Sequence, residues 1–181
     1  MTQLAVLSVG HPTWHMAGLD YLHTSNLPQG RSKWLRTQLN GDENHDLAIS
    51  VDSDVMFGAR QLLAELHLAR FRDVAMGIAP VRCAGSDESN IILAGDLALR
   101  RASWPDVDRI AQNTNRDIMA GGFGLVVFNL GWFGRNWTKP EPEGISYNIS
   151  EDIAMCLSVQ SRGGRVILLN VPTAHAETTR V

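Results

Sequence analysis

The sequence predicts an α/β domain with a mixed, mainly parallel central sheet flanked by helices. Three observations predict it. Short, near-continuous apolar runs recur at 4–9, 47–51, 74–81, 125–130 and 165–169, which is how strands covered on both faces read. In the first half, segments with helical spacing of apolar residues alternate with these runs. In the middle of the chain the runs follow one another closely, which makes the sheet mixed.

Leu4-Ala5-Val6-Leu7-Ser8-Val9 reads as a strand that stops at Gly10-His11-Pro12, where glycine and proline break regular structure. Residues 16–24 then space Met16, Leu19, Tyr21 and Leu22 as a helix. A polar break through Ser25, Asn26, Pro28, Gln29 and Gly30 leads to a short helix at 32–39, ended by Asn40-Gly41. After the strand at 47–51 and Asp52-Ser53-Asp54, residues 58–71 repeat Leu62, Leu63, Leu66 and Ala69 at helical spacing, with Arg60, Glu65, His67 and Arg70 elsewhere around the wheel. Strands are expected at 74–81, 91–99 and 125–130, with a helical piece after Trp104-Pro105 and an aromatic loop holding Trp132, Phe133 and Trp137. Ser150 opens a helix that reaches about Arg162, Gly163-Gly164 closes it, and a strand follows at 165–169.

Length and composition narrow the function classes. A chain of 181 residues without repeat or low-complexity tract is read as one domain, long enough to bury a sizeable core. With 16 Lys+Arg against 19 Asp+Glu the formal charge is −3, so a protein gripping nucleic acid mainly through its phosphates is not expected. Cys83 and Cys156 lie far apart, with no CxxC and no Cys/His cluster, and read as free thiols rather than a disulfide framework or a structural zinc site. No stretch has the ~18–20 apolar residues of a membrane span and no basic leader is evident, so a cytoplasmic location is expected.

Four motifs carry candidate chemistry. The apolar strand at 47–51 delivers Asp52 and Asp54 at its C-terminal end, where ligands bind in open α/β sheets. Residues i and i+2 of an extended segment share a side, so both carboxylates are placed to converge on a hard divalent cation such as Mg²⁺ or Mn²⁺. The competing reading is a pair of turn aspartates capping the next helix. Glu151 and Asp152 open the helix after Ser150, where acidic residues also oppose the positive end of the helix dipole. Gly121, Gly122 and Gly124 lead into the strand at 125–130, giving a ligand close access or serving a bend. His175 follows the last strand, where a surface histidine is the plain alternative.

The order of these motifs resembles the GT-A family of glycosyltransferases, which use nucleotide-diphosphate sugars. The resemblance rests on a DxD strand, a Gly-Gly-Phe-Gly strand entry, an aromatic loop, Ser-Glu-Asp opening a helix closed by Gly-Gly, and a strand with a late histidine. It implies a single GT-A-like, Rossmann-like domain, with 1–100 as the nucleotide-binding half and 101–181 as the acceptor and catalytic half. It implies that Asp54 and His175, with Asp52 in a shared role, hold Mn²⁺ or Mg²⁺ on the donor diphosphate. Asp52 would also touch the ribose or the sugar. Asp152, or Glu151, falls where an inverting enzyme places its general base. Ser8, Pro12 and Thr13 would lie under the nucleotide base, Arg31 would face the nucleotide or diphosphate, and Gly121 and Gly122 would line the sugar and acceptor side. The chain is short for the family, so acceptor binding would draw on a homo-oligomer, a partner subunit or a large acceptor. The loop at 134–149 reads as a lid over the donor or an ordered surface loop.

Two other readings fit the residues. A phosphohydrolase of the haloacid-dehalogenase type would use Asp52 as nucleophile and Asp54 as acid/base, although that family carries the motif on its first strand. A non-catalytic sugar-nucleotide-binding domain would keep the fold without a productive base.

Overall fold

The computed structural model describes residues 4–9, 20–22, 27–40, 45–52, 54–68, 74–82, 87–95, 98–137 and 150–175. In chain order, strand β1 (Leu4–Val9) is followed by β2 (Asp20–Leu22), helix α1 (Leu27–Asn40), β3 (Leu47–Asp52), β4 (Val55–Phe57), α2 (Ala59–Leu68), β5 (Val74–Ile78), β6 (Glu88–Ala94) and β7 (Leu99–Ser103). Then come α3 (Trp104–Ala111), β8 (Ala120–Gly121), β9 (Leu125–Asn129), α4 (Leu130–Asn136), α5 (Glu151–Ser161), β10 (Arg165–Leu168) and β11 (Thr173–His175).

Six strands form the main sheet in the order β10-β5-β9-β3-β1-β2. The pairs β10/β5, β3/β1 and β1/β2 are parallel, and β9 runs antiparallel to both β3 and β5, so the sheet is mixed and mainly parallel as expected. A three-stranded antiparallel sheet, β7-β6-β8, and a two-stranded ribbon, β11-β4, stand beside it. Strand alternation splits the core in two. Leu47, Ile49 and Val51 with Leu125 and Val127 pack on Leu62 of α2, whereas Ala48, Val126 and Phe128 face Leu35 of α1, Phe133 of α4 and Cys156 and Val159 of α5. Phe128 meets Phe123 and Phe133 edge-on, with ring centroids 5.9 and 5.7 Å apart. Burying each such ring stabilises the fold by about 1.5–3 kcal/mol.

Helix ends follow the sequence closely. Ser103 and Asp106 form a reciprocal capping box at α3, with Pro105 in the first turn. At the end of α5, Gly163 takes a φ of 76°. Its N–H reaches the Gln160 carbonyl and the Gly164 N–H reaches Val159, which satisfies two carbonyls that the helix leaves open. Gly164 has a different role, because a Cβ there would lie 2.5 Å from the Trp132 ring and 2.9 Å from Ala75.

The structure corrects several expectations. Within the segment read as a helix at 16–24, Asp20–Leu22 is a strand, because pairing with β1 outweighs a weak helical spacing. Helix α1 begins at Leu27 rather than Ser32, with Pro28 in a first turn where its missing N–H costs nothing. The single strand expected at 91–99 is two: β6 turns into β7, with the Gly95 N–H bonded to the Ala98 carbonyl. Residues read as an aromatic loop form α4, whose N-cap Asn129 accepts from the Trp132 N–H. Strands β4 and β11 were not expected, since each is three residues long and exists through the other.

Candidate functional site

Strand β3 ends at the site. The Asp52 N–H donates to the Gly124 carbonyl at 2.9 Å, which ties the acidic strand end to the glycine entry of β9. Asp54 follows in a turn, and the antiparallel ribbon places His175 opposite Val55. His175 Nδ1 then lies 3.4 Å from Asp54 Oδ2, with both side chains half exposed. Asp52 turns elsewhere. Its Oδ1 accepts from Arg31 Nη2 at 2.7 Å, so the two aspartates of the motif engage different partners.

Arg31 stands on α1 with its side chain only 7% exposed, at the centre of an acidic group. Its Nη1 donates to Glu151 Oε1 at 2.7 Å and lies 3.5 Å from Asp152 Oδ1. The guanidinium carbon sits 5.6 Å from the centroid of the Phe123 ring, and the buried Nε has no hydrogen-bond partner among the described residues. Glu151 and Asp152 thus reach across to α1, while the Ser150 hydroxyl makes no capping bond. Both acids sit in the first turn of α5 and also make tertiary contacts. Asp152 Oδ2 accepts from the Phe123 N–H at 3.2 Å, and Asp152 Oδ1 is buried without a hydrogen bond among the described residues.

One guanidinium therefore serves three carboxylates. Burial pushes Asp52, Glu151 and Asp152 above their ordinary values, and Arg31 pulls each back down. Asp54 raises Asp52 further, which places those two charges within each other's field. Cys156, behind the acidic pair on α5, is a buried free thiol pushed up to about 12 by burial, so it is not a thiolate at neutral pH.

The glycine entry is held by Asn90, a residue the motif reading missed. Its Oδ1 accepts from the Val81 N–H at 2.7 Å and its Nδ2 donates to the Gly122 carbonyl at 2.9 Å. A polar amide directly before the apolar run Ile91-Ile92-Leu93 was the available signal, since Asn is depleted from strands. Gly122 faces Asn90 and Asp152: a Cβ there would lie 3.4 Å from Asn90 Cβ and 3.8 Å from Asp152 Oδ2. Gly121 is buried, and a Cβ would meet Ile78 and Ile91 at 3.0 Å, so its smallness serves packing. Ser8 lies on β1 in register with Val51, next to the Asp52 strand end. Pro12, Thr13 and Trp14 lie outside the described residues, as does most of the expected lid.

The donor chemistry suits a hard cation whose shell is shared with a substrate. Among the described residues no three His, Cys, Asp or Glu side chains gather tightly enough to hold an ion alone. Asp54 and His175 offer one carboxylate and one imidazole side by side, and Mg²⁺-type ions bind through one or two carboxylates, water and substrate phosphates. Among the described residues no helix is long and apolar enough to cross a membrane.

No family model matches the chain, and no curated protein matches it. Solved structures do. A197 from STIV aligns with a TM-score of 0.61 at 10% identity, over 96% of this chain and 85% of that one. GalNAc-T7, solved with UDP, GalNAc and Mn²⁺, aligns with a TM-score of 0.62 at 12% identity over 97% of this chain, which spans 44% of that protein's length. The 4-diphosphocytidyl-2C-methyl-D-erythritol synthase of Anaerococcus prevotii aligns with a TM-score of 0.50 at 9% identity, over 97% of this chain and 90% of that one. Together with the mixed sheet and its flanking helices, these likenesses establish a single α/β domain with a GT-A-like fold.

Proposed function

We propose that the chain is a metal-dependent glycosyltransferase that moves a sugar from a nucleotide-diphosphate sugar to an acceptor hydroxyl. The observation that carries this reading is the acidic cluster at the C-terminal edge of the sheet. Asp52, Glu151 and Asp152 surround a buried Arg31, and the Asp54–His175 pair lies beside them on the same strand end. The similarity to GalNAc-T7, solved with UDP, GalNAc and Mn²⁺, supports it.

In this reading residues 1–100 form the nucleotide-binding half and 101–181 the acceptor and catalytic half. Asp54 and His175 would hold a divalent ion, Mn²⁺ or Mg²⁺, which would supply positive charge against the negative charge of a departing nucleoside diphosphate. Asp52, fixed by Arg31, orients the ribose or the sugar. Ser8, Pro12 and Thr13 line the nucleotide side, and Gly122 leaves room beside Asp152 for the sugar. Asp152 is the base. Its Oδ2 is anchored by the Phe123 N–H, while Oδ1, 3.5 Å from Arg31 Nη1, makes no hydrogen bond among the described residues and is the oxygen left to take the acceptor proton. Burial raises its proton affinity, which is the direction a general base needs. Glu151, with Oε1 committed to Arg31, positions that guanidinium.

The test is a thermal-shift panel of UDP-, GDP-, ADP- and dTDP-sugars with and without Mn²⁺, on the wild type and on Asp54→Asn. A metal-dependent rise with one nucleotide class, lost in the variant, is expected, because a ligand bound only by the native state raises apparent stability. An equal rise in EDTA and in the variant would refute the metal assignment, and no rise with any nucleotide would refute the reading.

A further inference from the structure

Between α2, α3 and the chain running from β10 to β11 lies a cavity of about 550 Å³. That size falls within the ~300–1,000 Å³ of small-molecule sites. Aliphatic side chains of α3 and of the end of β10 form its floor, and a set of planar polar groups forms its rim: Arg82, Asp108, Gln61 and Asn170, beside the Trp104 indole. The Arg82 guanidinium lies 4.8 Å from the Trp104 ring centroid. Among the described residues neither Arg82 nor Asp108 forms an ion pair, although both line the same cavity.

This set matches one ligand chemistry. A hydroxyl both donates and accepts, so a polyhydroxylated ring is satisfied by a mixture of donor-only Arg82, acceptor-only Asp108 and amides that do both. The apolar floor suits the C–H faces of such a ring. A nucleoside diphosphate would set its charge against Asp108, and a purely apolar ligand would strand four polar side chains. Position supports the match. Thr173, which lines the cavity and donates its hydroxyl to the Pro80 carbonyl, is two residues from His175 on β11, roughly 7 Å along a strand. Arg82 bridges to Ala174 on that strand.

We propose that this cavity binds the non-reacting sugar units of a carbohydrate acceptor. As an acceptor site the proposal rests on the glycosyl-transfer reading above; as a saccharide site it stands on the cavity alone. It assigns the acceptor to the saccharides rather than to nucleobases or lipids.

The experiment is saturation-transfer NMR of the full chain with methyl glycosides and tetrasaccharides of the gluco, galacto, manno and N-acetylglucosamine series, with nucleotide binding measured in parallel. Arg82→Ala and Asp108→Ala alter exposed side chains, so both variants are expected to fold and to bind nucleotide as the wild type does. One saccharide series should give transfer to the wild type and bind at least tenfold more weakly to each variant. Absence of transfer from every series while a nucleotide sugar binds would overturn the proposal, as would transfer unchanged by both variants. Variant-sensitive saccharide binding without any nucleotide binding would uphold the cavity and overturn the glycosyl-transfer reading instead.

Discussion

Replacing Arg31 with methionine tests the electrostatic core of the site. The substitution keeps a long, buried, unbranched side chain and removes the charge. Asp52, Glu151 and Asp152 are then left facing one another with side chains 33%, 16% and 23% exposed. Removing one partner of a buried ion pair costs about 3–5 kcal/mol, because the remaining charge is neither hydrated nor paired. For a chain of this size, at about 2–4 °C per kcal/mol, the melting temperature at pH 7.5 should fall by roughly 6–20 °C. The loss should depend on pH in a defined direction. Burial raises Glu151 and Asp152, Arg31 opposes that rise, and without Arg31 both rise further. The folded variant then binds more protons than the unfolded chain over the range between the two pKa values, so its stability increases as pH falls. The slope is up to about 1.4 kcal/mol per pH unit for each extra proton. Urea unfolding of both proteins at pH 7.5, 6 and 5 should show the deficit shrinking towards acid. A variant within about 0.5 kcal/mol of wild type at pH 7.5 would refute the reasoning, because surface changes stay within that margin. A deficit that is constant with pH would refute it equally.

Asp152→Asn should lower transfer by about 10²–10⁴-fold, the usual contribution of general-base catalysis, with nucleotide-sugar binding retained; a variant with full turnover would move the base to Glu151. Gly164→Ala should destabilise the fold by about 1–3 kcal/mol in urea titration, because its Cβ must push Trp132, Val159 or Ala75. Gly163→Ala should cost about 1–2 kcal/mol by a different route, the left-handed backbone, with no atom within 4 Å of the new methyl. Asp106 behaves oppositely to the buried acids. Arg100 and Ser103 hold it well below its ordinary value of 3.8, so its contribution is present above that value and lost as pH falls below it. An acid titration of Asp106→Asn followed by circular dichroism should therefore show less loss between pH 4 and 2 than the wild type.

Strands β1, β3, β9 and β10 and helices α2 and α5 were legible because their signals are local: a run of apolar residues, a 3.6-residue period, a cap, a terminal glycine. The candidate carboxylates and histidine were legible as an ordered set, from Asp52 and Asp54 to Glu151, Asp152 and His175, and Arg31 entered only through the family resemblance. Their pairing was not. Adjacent carboxylates of one motif were expected on a single ion, yet Asp52 turns to Arg31 and Asp54 to His175. The sequence pattern also left Glu151 and Asp152 open between capping and catalysis, and their contacts with α1 and the Phe123 N–H could not be read from it.

What the amino-acid order determined is the class of fold and the residues that bear charge at strand and helix ends, since both depend on neighbours a few positions away. Tertiary structure decided the rest. Asp20–Leu22 is a strand because β1 lies beside it, and α4 forms over the aromatic core that it covers. Arg31 and Glu151 meet across 120 positions, and burial, a property of the whole packed chain, sets the direction in which their carboxylate partners titrate. A position's polarity is written in its side chain, but its solvent exposure and its partner are written in the positions of every other element.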